Sequence, residues 1–208
     1  MENNNINNAH RLFPEDPVSR VKALRSILEG KGLINQESLD LILDTYQNKV
    51  GPINGAKLIA KAWVDKTFKK SLLEKTDKVL AKLKLSGRQG EHVTVVENNA
   101  KTHNLVVCTL CSCYPWPLLG LPPAWYKSDA YRSRAVREPR KVLEEFNLKI
   151  PRSKNVRVWD STSEMRYIVL PQQPEQSIGL SESDLVSWVT RDSMIGTGLP
   201  KPPEKFND

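Results

Sequence analysis

The sequence of 208 residues is long enough for one substantial core, or for a helical region joined to a larger domain. With 39% hydrophobic and 26% charged residues, its composition is that of a globular protein and excludes wholesale disorder. No apolar run reaches the roughly 18 residues that span a bilayer, and the Asn-rich start lacks the features of a secretory signal. We therefore expect no membrane partner and a cytoplasmic location.

The N-terminal part of the chain predicts a helical arm. Val18, Val21 and Leu24 recur at helical spacing, and Gly30 and Gly32 are plausible stops. Three further helices are predicted: from Gln36 to the Gly51-Pro52 stop, from an Asn54 cap through Trp63, and from an Asp65 cap onward. Because their apolar stripes are narrow, these helices make a poor independent core, and we expect the arm to pack on another chain or on the rest of the protein.

The pattern changes after Gly87-Arg88-Gln89-Gly90 to short apolar runs of strand length. Such runs lie at 93–96, 105–107, 156–159 and 167–170, with a basic helix predicted at 138–146 and a short helix after Ser181. The second run leads directly into Cys108. A rigid strand that gives way to a loop is a common place for function.

The chain carries a net charge of +7, and the surplus is concentrated between Lys127 and Lys141. That stretch holds six basic and two acidic side chains. No recognition helix or zinc-finger pattern accompanies it. We therefore interpret it as a solvated face or a surface for a protein partner, and expect no nucleic acid.

All three cysteines fall within six residues, as Cys108, Cys111 and Cys113. An odd, tightly clustered set indicates a metal or redox site rather than a disulfide framework. The spacing allows three sulfurs and the backbone amides of Ser112 and Cys113 to converge on one ion. Because an amide nitrogen binds a metal only after losing its proton, such a site favours trivalent cobalt or iron over zinc.

Other interpretations of the cysteines stay open at this point. Structural zinc would need His92 or His103 as a fourth ligand. A redox thiol group and inert buried cysteines are further alternatives, whereas an iron–sulfur cluster normally needs four cysteines.

The string at 107–117, VCTLCSCYPWP, closely resembles the α subunit of nitrile hydratase. The likeness continues at 119–126, Gln89-Gly90-Glu91, Trp159-Asp160-Ser161 and 190–196, and covers roughly 18–198. It implies one non-corrin Co(III) ion per chain, or alternatively Fe(III), held by Cys108, Cys111, Cys113 and the amide nitrogens of Ser112 and Cys113. It also implies oxidation of Cys111 to sulfinic and of Cys113 to sulfenic acid. Within the family, Thr109 and Tyr114 are typical of cobalt enzymes.

The implied activity is hydration of small-molecule nitriles to amides. The resemblance assigns catalytic roles to Cys113, Ser112, Gln89 and Arg166, with Cys113 as a candidate nucleophile. It places Thr109, Tyr114 and Trp116 at the substrate pocket or in the surroundings of the metal ligands. It further implies a β subunit, in a heterodimer or heterotetramer, and an activator or metallochaperone for cobalt insertion.

Two alternative functions remain. The metal-bearing subunit of thiocyanate hydrolase carries a similar cysteine string, and a zinc-stabilised nucleic-acid-binding module belongs to a different class.

The predicted fold is α+β, with an extended N-terminal helical arm followed by an α/β domain that has short strands and the metal loop at a strand end. We expect a flexible tail at 1–17, the helical arm at 18–85 packing on the partner subunit, the metal-binding catalytic domain at 86–198, and a flexible tail at 199–208.

Overall fold

The computed structural model describes residues 17–45, 51–86 and 91–203. Contacts between Cα atoms divide the chain into two units, one ending at residue 45 and the other beginning at residue 46. The helices that follow residue 51 pack against other elements of this second unit. The predicted boundary near residue 85 divides the chain by function, which these contacts do not test. The role of residues 18–85 as an arm for a partner stays a prediction.

The first unit contains the two predicted helices, α1 (Pro17–Gly30) and α2 (Gln36–Asp44). Asn35 caps α2, since its side-chain oxygen accepts a hydrogen bond from the Ser38 N–H at 3.0 Å. The apolar positions of α1 that carry the helical periodicity, Val21, Leu24 and Ile27, are more than half exposed within this unit.

Three helices open the second unit: α3 (Pro52–Val64), α4 (Lys66–Glu74) and α5 (Thr76–Lys82). Asp65 caps α4 as predicted, because its carboxylate accepts from the Phe68 N–H at 2.8 Å. The predicted fourth helix is, however, divided into α4 and α5 at Lys75.

The predicted Asn54 cap is wrong. Helix α3 begins at Pro52, directly after Gly51, because the fixed φ of proline and its missing N–H both suit a first helical turn. The Asn54 side chain lies inside the helix and donates instead to the Pro117 carbonyl at 3.0 Å.

All four predicted strands are present: β1 (His92–Glu97), β2 (Thr102–Val107), β3 (Asn155–Asp160) and β4 (Met165–Leu170). Within the described residues, β1 pairs with β4 and β2 pairs with β3, both in parallel. Val107 lies opposite Asp160 in the second pair, so the carboxyl ends of β2 and β3 meet at one edge.

Shorter helices pack on the strands and on α3, and the mixture of helices and strands confirms the α+β class. The shorter helices are α6 (Trp116–Leu119), α7 (Asp129–Arg137), α8 (Pro139–Glu145), α9 (Glu182–Val186) and α10 (Arg191–Ile195), with 3-10 turns at Ala124–Lys127 and Glu175–Ser177. The sequence indicated α8 and α9 but not α6, α7 or α10. None of the helices in the part of the chain described by the structure is long and apolar enough to cross a membrane.

A buried polar network ties β2 to the end of α10. The imidazole of His103 is almost fully buried, and its Nε2 lies 2.7 Å from the Gly196 carbonyl oxygen. Because that oxygen only accepts, Nε2 carries the proton, and Nδ1 accepts from the Asn98 amide at 3.3 Å. Burial lowers the pKa of His103, so the ring is neutral.

Candidate metal centre

The cysteine cluster lies where β2 ends. Cys108 directly follows the strand and is fully buried, Cys113 is buried, and Cys111 is exposed. The Sγ atoms of Cys108 and Cys111 are 3.5 Å apart, and those of Cys111 and Cys113 are 3.0 Å apart. All three sulfurs lie within 4.8 Å of one another. One metal ion therefore has three sulfur donors within reach.

The three thiols differ in how easily they ionise. The hydrogen bond from the Cys113 thiol lowers the pKa of Cys111. Burial, followed by that same hydrogen bond, raises the pKa of Cys113 to about 12, and the nearby Arg166 cation partly opposes the rise. Cys111 is thus the more readily ionised of the two, and a metal that binds both as thiolates must displace a proton from Cys113.

Polar contacts hold the loop between Cys108 and Cys111. The Asp160 carboxylate, at the end of β3, accepts from the Thr109 backbone N–H at 2.9 Å and from the Thr109 hydroxyl at 2.6 Å. Arg132 of α7 donates through Nη2 to the Thr109 and Leu110 carbonyls, each at 2.9 Å. Since Leu110 is 82% exposed, polar contacts rather than apolar packing fix this turn.

Two buried tyrosines support the other side of the cluster. The Tyr126 hydroxyl donates to the Cys113 carbonyl at 3.1 Å. Its ring meets that of Tyr114 edge-on, with centroids 5.0 Å apart. Burial raises the pKa of both phenols, so both stay protonated.

The structure brings most of the predicted site residues to the cluster. Ser112 is half-buried between the second and third cysteines, and Thr109 lies in the anchored turn. Arg166 of β4 is buried, donates to the Thr162 carbonyl, and acts electrostatically on Cys113. Trp116 begins α6 and is 42% exposed. Gln89 lies outside the described residues, and the functional roles of all these residues stay predictions.

Asp160 and Arg132, which hold the loop, were not predicted to have a role at the metal site. The support that Tyr126 gives to Cys113 was not predicted either. Asp160 ends an apolar run of strand length, but its position beside Thr109 depends on the parallel pairing of β2 with β3, which no local signal specifies. For Arg132 no local signal exists, since the contact spans 22 or 23 positions of sequence.

Neither histidine considered for structural zinc joins the cysteines. Both ring nitrogens of His103 are engaged by Gly196 and Asn98, and His92 pairs with Asp77 at 2.7 Å. Among the described residues, the group with metal-binding geometry consists of the three cysteines alone.

Three sulfur donors converge in one turn, which lies at the carboxyl edge of a parallel strand pair. This arrangement defines a cysteine-ligated metal-binding protein. The comparisons with known proteins specify the class further. The profile of the family described as "Nitrile hydratase, alpha chain" matches residues 15–198. The chain therefore belongs to the nitrile hydratase α-subunit family.

Individual relatives are similar in sequence to this chain over most of their length. A nitrile hydratase subunit alpha from Rhodococcus sp is 53% identical over 91% of this chain and 96% of the relative. The low-molecular weight cobalt-containing nitrile hydratase subunit alpha of Rhodococcus rhodochrous is 50% identical over 92% of each chain. The thiocyanate hydrolase subunit gamma of Thiobacillus thioparus is 40% identical, covering 86% of this chain and 78% of that one.

A solved structure shares the fold. A double mutant of the Fe-type nitrile hydratase from Comamonas testosteroni Ni1 matches with a TM-score of 0.77 and 36% identity, over 93% of this chain and 100% of that one. Cobalt-containing and iron-type proteins are thus both among the similar proteins.

Proposed function

We propose that this chain is the metal-bearing α subunit of a nitrile hydratase that hydrates nitriles to amides at a low-spin, non-corrin Co(III) centre. The observation that carries the proposal is the convergence of the sulfurs of Cys108, Cys111 and Cys113 within 4.8 Å, in a chain 53% identical to a named nitrile hydratase α subunit.

The donor set fits such an ion. The thiolates of Cys108, Cys111 and Cys113, with the amide nitrogens of Ser112 and Cys113, would hold one metal per chain. When bound, the metal supplies Lewis acidity, which activates a nitrile or a water molecule. Relatives named as cobalt-containing, together with Thr109 and Tyr114 in the loop, favour cobalt, and Fe(III) is the alternative.

The differing exposure of the thiols supports the proposed oxidation pattern. Oxidation of cysteine follows thiolate character and access to solvent. Cys111 is exposed, which suits oxidation to sulfinic acid. Cys113 is buried but retains some access to solvent and would stop at sulfenic acid, whereas fully buried Cys108 would remain a thiolate.

The surrounding side chains position and stabilise this centre. Arg166 places a buried cation close enough to Cys113 to stabilise negative charge on its sulfur or on an oxygen attached to it. An oxygen on Cys113 would be a candidate nucleophile for the nitrile carbon. We assign Gln89 and Ser112 to the hydrogen bonds around the reacting water, and Trp116 to the substrate pocket.

The proposal includes partner proteins. The exposed apolar positions of α1 would pack on a β subunit, in a heterodimer or heterotetramer. An activator or metallochaperone would insert the metal. We also propose a cytoplasmic location, because all three cysteines are free.

The test is co-expression with the β subunit and activator while cobalt and iron are both supplied. We expect near-stoichiometric cobalt, nitrile-dependent amide formation, and a peptide spanning 108–113 that carries two oxygen atoms on Cys111 and one on Cys113. A C111A variant should lose metal and activity together. Stoichiometric iron would keep the reaction but contradict the cobalt assignment.

A second candidate function is thiocyanate hydrolysis, favoured by the 40% identity to a thiocyanate hydrolase subunit. Turnover of thiocyanate with no turnover of nitriles would establish it. Zinc content without cysteine oxidation, together with salt-sensitive binding of nucleic acid, would instead point to a zinc-stabilised binding module.

A further inference from the structure

Helix α7 brings a cation to the backbone of the metal-binding loop. The Nη2 atom of Arg132 is 2.9 Å from both the Thr109 and the Leu110 carbonyl oxygens. These two residues lie between the first two cysteines. We propose that Arg132 is a positioning residue, which orients this turn so that Cys108 and Cys111 present their sulfurs to one metal; the inference rests on the proposed function.

The turn needs an external support. Thr109 and Leu110 are both exposed, and the outer side of the turn borders a depression of about 540 Å³ lined by Thr109, Asp129, Arg132, Ser133, Val136 and Asp160. Water therefore competes for the loop carbonyls. A guanidinium that donates to two carbonyls at once makes charge-assisted bonds that water does not replace with the same geometry.

The base of Arg132 is itself fixed. Its neighbour Tyr131 is buried, and the Tyr131 hydroxyl donates to the Val106 carbonyl of β2 at 2.6 Å. Ser128 caps α7 by accepting from the Tyr131 N–H at 3.2 Å. Helix α7 thus holds both the end of β2 and the loop that follows it.

The contact reaches a metal ligand through one peptide group. The Leu110 carbonyl and the Cys111 N–H belong to the same trans peptide, so they point in opposite directions. With Arg132 on the carbonyl, the N–H points at Cys108 Sγ, which lies 3.3 Å away. Arg132 therefore orients an N–H···S hydrogen bond to a metal-binding sulfur.

The contact between Arg132 and Asp129 does not explain where the Arg132 side chain lies. Asp129 is 3.4 Å from Nη1, but the Asp129 side chain is fully exposed and gains little from that pair. The Nε atom of Arg132 is buried without a hydrogen-bond partner. The loop carbonyls are thus the strong contacts of this guanidinium.

The test compares R132M and R132K with the control R137M, each in the metal-loaded complex with the β subunit. Arg137 lies on the same helix, but its guanidinium bonds the Ser133 carbonyl of that helix. The readouts are the rate at which Co²⁺, before its oxidation, is lost to a chelator, the sulfur-to-metal charge-transfer absorption, and hydrogen exchange of the peptide containing 108–113.

We expect R132M to lose metal about tenfold faster than wild type or more, the usual range when a group that orients a metal ligand is removed. Its charge-transfer band should shift, and exchange of the loop amides should accelerate. R132K keeps the charge, but its shorter side chain lacks the planar guanidinium that directs both N–H groups of Nη2 at the two carbonyls, so its metal loss should be about threefold faster than in wild type. R137M should match wild type.

Equal metal loss and equal absorption in R132M and R137M would overturn the inference. If R132M does not assemble with the β subunit, R132K provides the test instead. A wild-type rate of metal loss in R132K would then overturn the inference. A wild-type complex that binds no metal would overturn both the proposed function and this inference. If the wild type binds metal and the variants lose it at the wild-type rate, the inference alone is overturned.

Discussion

Asp160 holds Thr109 with both carboxylate oxygens, one on the backbone N–H and one on the hydroxyl. In D160N, the amide oxygen would still accept from the N–H and the NH₂ would donate to the hydroxyl oxygen, so both contacts would lose the carboxylate charge. Because the carboxylate orients a turn that carries two metal ligands, we expect a loss of about 10-fold or more in metal affinity. Competition for Co²⁺ between the metal-free complex and a calibrated chelator measures it.

The matched control for D160N is D129N. The Asp129 side chain is fully exposed and makes only a long contact with Arg132. D129N should bind metal as the wild type does. Equal affinities in the two variants would show that Asp160 has no role in shaping the turn.

His103 gives a pH dependence of stability. Burial lowers its pKa in the folded state below the ordinary 6.5, so the unfolded chain takes up the proton at a higher pH. The contribution of neutral His103 to the free energy of unfolding is fully present above about pH 6.5. It is lost as the pH falls from there through the pKa of the folded state. In H103Q, the midpoint temperature of unfolding at pH 7.5 should be lower than in wild type. Between pH 7.5 and 5.5, that midpoint should fall less than it does in wild type.

The control for H103Q is V106A, because Val106 is buried on the same strand and carries no titratable group. It should retain the wild-type pH dependence. Thermal unfolding of the complex at several pH values measures both variants, and parallel curves for H103Q and wild type would count against the assignment.

The chemistry of the site was largely predictable at the residue scale, but its supports were not. The cysteines lie within six residues, so their convergence is a local property that spacing predicts. Asp160 and Arg132 reach Thr109 across 51 and 23 positions. Such contacts exist only after the strands and α7 have packed.

At the scale of the element, Gly196 limits how closely α10 approaches β2. Its φ is +94°, and a Cβ built there would lie 2.0 Å from the Asn104 carbonyl oxygen. We therefore expect G196A to combine a left-handed backbone penalty of roughly 1–3 kcal/mol with a displacement of α10. The free energy of unfolding should fall by more than about 3 kcal/mol in denaturant titrations.

Gly179 separates the two effects. Its φ is +90°, but a Cβ there meets nothing within 4 Å. G179A should thus show the backbone penalty alone, near 1 kcal/mol. Equal losses in G179A and G196A would mean that the close approach to Asn104 has no cost.

Prediction at this scale succeeded where the signal was local. Periodicity and caps gave α1, α2 and α4, and apolar runs gave the strands. Helix α7 was not predicted, because it buries only Tyr131 and Ala135 among the residues of a basic stretch. The parallel pairing of β2 with β3 joins residues about 53 positions apart, and no turn signal specifies it.

At the scale of the whole molecule, the apolar positions Val21, Leu24 and Ile27 of α1 are more than half exposed. Leu24 is 61% exposed there, although it follows the helical periodicity of a packed face. We expect L24A to weaken association with the β subunit about fivefold or more, as truncation of a buried interface side chain does. Sedimentation or surface binding with purified β subunit measures it.

Lys22 provides the control, since it is exposed on the same helix two positions away. K22A should leave the affinity for the β subunit unchanged, and circular dichroism should show the same helix content in both variants. Loss of helix content in L24A would assign Leu24 to folding. Unchanged affinity in a folded L24A would place the β subunit elsewhere on the chain, because an apolar side chain buried at an interface cannot be truncated without cost.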